Sequence, residues 1–130
     1  MLPRAHYTSG MGPHARTPKP PYYAVIFTSR RTAADPEGYD RTADRMVELA
    51  ATMAGFLGIE SARNSEGVGI TISYWDSPES IQRWREHAEH RLAQWAGKER
   101  WYEHYSIRIC RVEKEYGFRA AKEVPIHHDD

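Results

Sequence analysis

Phe56-Leu57-Gly58-Ile59-Glu60-Ser61-Ala62, then Arg63-Asn64-Ser65-Glu66-Gly67, then Val68-Gly69-Ile70-Thr71-Ile72-Ser73-Tyr74-Trp75 reads as two strands joined by a polar turn. Aromatic and β-branched residues fill the two runs, and the Asn-Ser-Glu-Gly group between them has the composition of a hairpin connection. Successive strand side chains point to opposite faces. Val68, Ile70, Ile72 and Tyr74 therefore share one face, and Gly69, Thr71, Ser73 and Trp75 share the other. One face of this strand is wholly apolar and the other mixed.

Working outward, Tyr22 to Ser29 is a further aromatic and β-branched run, flanked by proline on one side and charge on the other, and is the first strand. From Gly38 to Ala54 the apolar positions Tyr39, Ala43, Met46, Leu49, Ala50 and Met53 recur at helical spacing, with Asp40, Asp44, Glu48, Arg41 and Arg45 as solvated rows. Gly55 stands where that helix must stop. Beyond the hairpin, Ser77-Pro78-Glu79 combines a hydroxyl cap, a proline at the first helical position and an acid near the positive helix end. The helix it starts has an inner stripe of Ile81, Trp84, Ala88, Leu92 and Trp95 and ends at Gly97. Tyr105 to Val112 alternates again and is the last strand.

The order β-α-β-β-α-β is the ferredoxin-like split βαβ pattern of an α+β domain, with four antiparallel strands and two helices on one face. The other face is too apolar to stand in water, so it requires a partner, and a symmetric copy is the commonest one. The expected assembly is a homodimeric α+β barrel. The domain spans residues 22–118, preceded by a flexible, proline-rich arm at 1–21 and followed by a polar tail at 119–130.

Composition narrows the function classes. With 130 residues, 40% hydrophobic and 28% charged, the chain suits one globular domain. Lys plus Arg and Asp plus Glu number 18 each, so no net field draws nucleic acid or anionic lipid. No run approaches the roughly 20 apolar residues of a membrane span. With Pro3 and an isolated Arg4, the N-terminus does not resemble a secretory signal, and Cys110 is the one cysteine, so a cytoplasmic home is expected and Cys110 reads as a buried structural residue.

Phe56-Leu57-Gly58-Ile59-Glu60-Ser61, Ile72-Ser73-Tyr74-Trp75, Ile81-Gln82-Arg83-Trp84, His87-Ala88-Glu89-His90-Arg91, Trp101-Tyr102, Tyr105 and Glu115-Tyr116-Gly117-Phe118 together resemble the antibiotic biosynthesis monooxygenase superfamily, in its widespread bacterial branch. The resemblance covers residues 22–118 and implies a dimeric α+β barrel with a pocket between sheet and helices. Its characterised members are oxygenases that need no cofactor and act on polycyclic phenols or anthrones, or haem degraders that hold the iron through a histidine on the second helix. Trp84 matches the helix tryptophan of both groups. Both also use an asparagine on the first strand; here that strand ends in Thr28-Ser29-Arg30, and the one asparagine is Asn64 in the hairpin turn.

The candidate catalytic residues are Trp84, His87 and Ser29. Trp84 is either a core ring or the wall of a pocket for a flat ligand. Ser29 either ends its strand or replaces the asparagine as a donor to a substrate oxygen. Tyr74, Trp75, Trp101, Tyr105 and Arg108 are candidate substrate-binding residues, each with a packing or solvated alternative. No cofactor is required on this reading; if haem binds, His87 or His90 is its ligand. Glu86, His87 and His90 do not form a metal set, because zinc needs ligands at i, i+3 or i, i+4 with more from elsewhere. The expected function is a small oxygenase acting on an aromatic or phenolic molecule. The alternatives are a haem-binding or haem-degrading protein and a non-catalytic dimer that holds a hydrophobic ligand. A phosphate-seeking or membrane-spanning role is not expected.

Overall fold

The computed structural model describes residues 4–5, 14–94 and 101–120, and side chains over 14–91 and 101–120. Along the chain run β1 (Arg4–Ala5), β2 (Tyr22–Arg31), α1 (Pro36–Ala51), β3 (Phe56–Arg63), β4 (Val68–Trp75), α2 (Pro78–Gln94) and β5 (Tyr102–Val112). The sheet order is β1-β3-β4-β2-β5, and every pairing is antiparallel. Without the two-residue edge strand β1 this is the expected four-stranded ferredoxin-like sheet with both helices on one side. The expected tight stop of α2 at Gly97 and the Trp95 position lie outside the described residues, as do most of the N-terminal arm and the end of the tail. Of that arm, Arg4–Ala5 pairs with Arg63 and Ala62, and the Ala15 N–H donates to Glu60 at 3.0 Å.

Local chemistry explains the element ends. Asp35 caps α1 from a left-handed conformation, its carboxylate accepting from the Gly38 N–H at 3.1 Å, with Pro36 filling the first helical position. The helix therefore begins two residues before the apolar periodicity suggests, because capping rather than burial sets its start. Gly55 does not cap the helix. It carries the turn into β3 at φ 88°, and its carbonyl accepts from the Asp76 N–H at 2.9 Å, tying this turn to the start of α2. The Ser77 hydroxyl accepts from the Ser80 N–H at 3.1 Å, as the Ser-Pro-Glu signal implies. Beside it the Ser80 hydroxyl donates to Asp76 at 2.7 Å, and these hydroxyls hold the Asp76 carboxyl below its ordinary range.

The innermost core is Ala50, Trp75 and Ile81, one residue each from α1, β4 and α2, with Val25, Phe56 and Trp84 packed against it. Trp75 is fully buried, and its indole N–H donates to the Ser73 hydroxyl at 2.9 Å. On the helix-free face, register aligns Ile26 with Ile72 and Arg108, Ala24 with Tyr74 and Cys110, and Thr28 with Ile70. Ile70 is 45% exposed there. Cys110 is exposed on this face rather than buried, because β5 is an edge strand exposed along most of its length, Ile107 and Ile109 included. Tyr116 and Phe118 are exposed as well, so the closing aromatic run does not pack against the body of its own chain. Among the described residues, no helix is long and apolar enough to cross a membrane.

Candidate active site

Three rungs of the sheet make the floor of a cavity of about 190 Å³ beneath the two helices. Reading across the strands, the first rung is Arg63, Gly69, Ser29 and Tyr105, and the second is Ser61, Thr71, Phe27 and Ile107. The third is Ile59, Ser73, Val25 and Ile109. Each lies two residues from the next, so the floor runs about 13 Å from Ser29 to Val25. Helix α1 supplies Tyr39, Ala43, Met46 and Ala50 to the roof, and α2 supplies Ile81, Trp84 and Ala88.

Polarity changes along the floor. At the Val25 end the walls are aliphatic and aromatic. Trp84 stacks on Trp75 with ring centroids 6.0 Å apart, and Trp75 meets Phe56 edge-on at 5.5 Å. In the middle, Ser61 and Thr71 hydroxyls share a hydrogen bond of 2.8 Å. At the far end sits Arg63, 9% exposed. Its Nη2 donates to the Tyr39 hydroxyl at 2.7 Å and its guanidinium carbon lies 4.5 Å from the centre of the Tyr39 ring. Asp40 is 3.8 Å from Nη1, and Arg31 reaches the same carboxylate at 3.5 Å. Asp40 thus belongs to a half-buried ion cluster and not to a solvated helix row. Burial lowers the pKa of the Arg63 guanidinium from its ordinary value. Tyr39 also meets Trp101 and Tyr102 edge-on, at 6.3 and 5.8 Å. Burial, and then the Tyr39 neighbour, push the Tyr102 phenol well above its ordinary range, so it is a neutral hydroxyl.

The structure brings together Ser29, Trp84, Trp101 and Tyr105 of the expected site residues, all lining the cavity. Trp75 lies beneath Trp84 as core and does not line it. Tyr74 and Arg108 stand on the opposite face of the sheet, since each pairs with a β2 residue of the other phase. There the Tyr74 hydroxyl donates to Glu60 at 2.6 Å, and Arg108 donates to Ser106 at 3.1 Å. His87 lies beside Trp84, with ring centroids 6.0 Å apart, without lining the cavity, and His90 is exposed. A haem held in this cavity needs an axial ligand that reaches it, and neither histidine does, so the residues present do not fit that group.

Sequence reading missed Arg63, Ser61 and Thr71. Arg63 was expected in the hairpin turn, but β3 runs one residue further and carries it into the sheet. The signal available was phase: Ile59, Ser61 and Arg63 alternate together, so an apolar Ile59 on the helix side places the arginine there too. Gly69 directly opposite leaves room for its stem; a Cβ on Gly69 would sit 3.4 Å from Arg63 Nε.

Residues 22–96 match the model of the antibiotic biosynthesis monooxygenase family. The chain belongs to that family. The Bacillus subtilis protein YqjZ is 50% identical over 105 residues, which covers 81% of this chain and 91% of YqjZ. A jasmonate monooxygenase of Pyricularia oryzae is 31% identical over 94 residues, covering 69% of this chain but 43% of the fungal protein. Among solved structures, the Pseudomonas aeruginosa protein PA3566 shares the fold with a TM-score of 0.56 at 18% identity, over 75% of this chain and 97% of that one. A Chloroflexus aurantiacus protein assigned to the same family superposes with a TM-score of 0.53 at 22% identity, over 74% and 97%. Family membership accounts for the helix-roofed sheet, and the cavity described above lies where that roof meets it.

Proposed function

We propose that the protein is a small oxygenase that oxidises an electron-rich aromatic, phenolic or enolic molecule in the cavity beside Trp84, with no bound metal or cofactor. The observation that carries this reading is the cavity itself: apolar and ring-walled at one end, with the buried Arg63 guanidinium at the other. A relative named as a jasmonate monooxygenase supports the reaction type.

Such a substrate ionises at the carbon or oxygen beside its π system, and the resulting anion passes electrons to dioxygen. A carbon–oxygen bond forms and the O–O bond then breaks. One oxygen atom stays on the substrate carbon, converting CH2 to C=O, and the other leaves as water with the two hydrogens. The substrate supplies all four electrons. The protein contributes orientation against Trp84, exclusion of water by the two helices, and a fixed positive charge at the Arg63 end of the cavity that favours a negatively charged substrate. Ser29 and the neutral Tyr102 and Tyr105 hydroxyls stand on the same end as hydrogen-bonding groups.

Oxygen uptake with metal-stripped protein and a panel of anthrones, naphthols and cyclic enols tests this. Turnover of at least one compound, reduced on the order of 10²-fold or more by Trp84→Ala, is expected. Absence of turnover across the panel overturns the oxygenase reading and leaves a ligand-binding protein.

The working unit of this reading is a homodimer closed through the helix-free face, where Ile26, Ile70 and Ile72 lie side by side on β2 and β4. An apolar strip on an otherwise formed sheet favours a second copy with the same strip, since a twofold pairing covers both at once.

A further inference from the structure

Two buried donors at the polar end of the cavity lack hydrogen-bond partners among the described residues: Nη1 of Arg63 and the indole Nε1 of Trp101. Buried N–H groups are nearly always paired, and these two belong to residues that line one cavity, which suits an acceptor that arrives with a ligand. Both residues pack against the same ring, Tyr39, whose hydroxyl already occupies the other guanidinium nitrogen. The nearest carboxylate, Asp40, lies beyond hydrogen-bond distance of Nη1 and is shared with Arg31. Of the other charged residues lining the cavity, Arg85 and Glu89 face each other at 3.4 Å on the exposed side of α2. Among the described residues, then, Arg63 is the cation at the buried end of the cavity, and its nearest counter-charge is the half-buried Asp40, too far from Nη1 for a hydrogen bond.

We propose that the Arg63–Trp101 end is an anion subsite and that the substrate class is a carboxylate with a flat apolar body. The carboxylate accepts from Arg63 Nη1 and Trp101 Nε1, and the body extends along the second and third rungs toward the Val25 end, where Trp84 belongs to the roof. A planar carboxylate matches a guanidinium edge better than a phenolate does, since it offers two oxygens in the guanidinium plane. Ser61 and Thr71 satisfy each other midway, so the floor between the two ends asks for no polar group from the ligand. This inference rests on the reading of the cavity as the substrate site and adds the charge and the direction in which the substrate lies.

Calorimetric titration of the full chain with 4-biphenylcarboxylate and with its uncharged primary amide tests it, with a thermal-shift measurement alongside. The acid is expected to bind ten- to a hundred-fold tighter than the amide, the range that hydrogen bonds to a charged group supply. Arg63→Gln should bring that ratio to about one while amide binding persists, and Arg108→Gln, on the other face, should leave it unchanged. Equal affinities for acid and amide in the unmutated protein overturn the anion subsite and leave the cavity reading in place. Binding of neither compound, with no thermal shift, overturns the cavity reading as well. If Arg63→Gln fails to fold, the acid-to-amide ratio of the unmutated protein decides by itself.

Discussion

Replacing Tyr39 by phenylalanine removes the one oxygen that accepts from the buried Arg63 guanidinium at 2.7 Å. The ring stays, so the edge contacts to Trp101 and Tyr102 and the cation–π contact with Arg63 at 4.5 Å are kept. What disappears is the 2.7 Å acceptor for Arg63 Nη2. The guanidinium stays charged, because arginine is not deprotonated in folded proteins. A 9%-exposed side chain that already has one unpartnered nitrogen then has two. Hydrogen bonds to charged groups are worth about 1.5–3 kcal/mol, and an orphaned buried donor retains most of that as a cost. Tyr39→Phe should therefore lose about 2 kcal/mol in urea unfolding at 25 °C, or about 8 °C in melting temperature for a domain of this size. Removing the charge as well, in Tyr39→Phe with Arg63→Met, should cost clearly less than the two single changes added together, since the orphaned group is then gone. A Tyr39→Phe protein within about 0.3 kcal/mol of the parent, or strictly additive substitutions, would show that the guanidinium is solvated and that the cavity end is not the dry polar site described here.

Other outcomes follow from separate features. Gly55 lies at φ 88°, and a Cβ there would collide with the Ser80 hydroxyl and the Asp76 carboxylate; Gly55→Ala should cost about 3 kcal/mol by chemical denaturation, while Gly58→Ala, at negative φ, should cost less. Burial and then Glu115, which accepts from the Tyr22 hydroxyl at 2.6 Å, push the Tyr22 phenol up to about 12. A folded-state pKa above the ordinary 10 favours the protonated, folded form, so this contribution is complete below pH 10 and is lost as pH rises from 10 to about 12. Denaturant midpoints measured across that window should fall, and Tyr22→Phe should flatten the fall. Ile70→Lys places a charge in the exposed apolar strip and should convert a dimer to a monomer in sedimentation equilibrium with little change in the far-ultraviolet circular dichroism; an unchanged dimer would move the interface elsewhere.

The secondary structure was legible because burial on one side leaves a period in the sequence. Alternation in Val68–Trp75 and helical spacing in the Tyr39 to Met53 run placed β4 and α1, and the Ser77-Pro78-Glu79 signal placed the start of α2. Periodicity says which residues share a face but not which face the helices cover. Hence Tyr74, in phase with Ile70 and Ile72, was assigned to the pocket although it stands opposite it, and Cys110 was read as buried. Arg108 stands on the opposite face for the same reason, and Ser29 lines the cavity because its phase matches that of Val25 and Phe27.

What the amino-acid order alone determined here is local: caps, strand alternation, the helical stripe with Trp84, and the family that these motifs resemble. The tertiary structure alone decided the composition of the site. Arg63, Gly69, Ser29 and Tyr105 come from four strands and meet on one rung only because antiparallel register aligns them, and Tyr39 joins them only because α1 crosses above. Register and crossing are set by long-range hydrogen bonds and packing, whose free energy depends on residues dozens of positions apart, and no local pattern records which distant side chain will supply a buried cation with its partner.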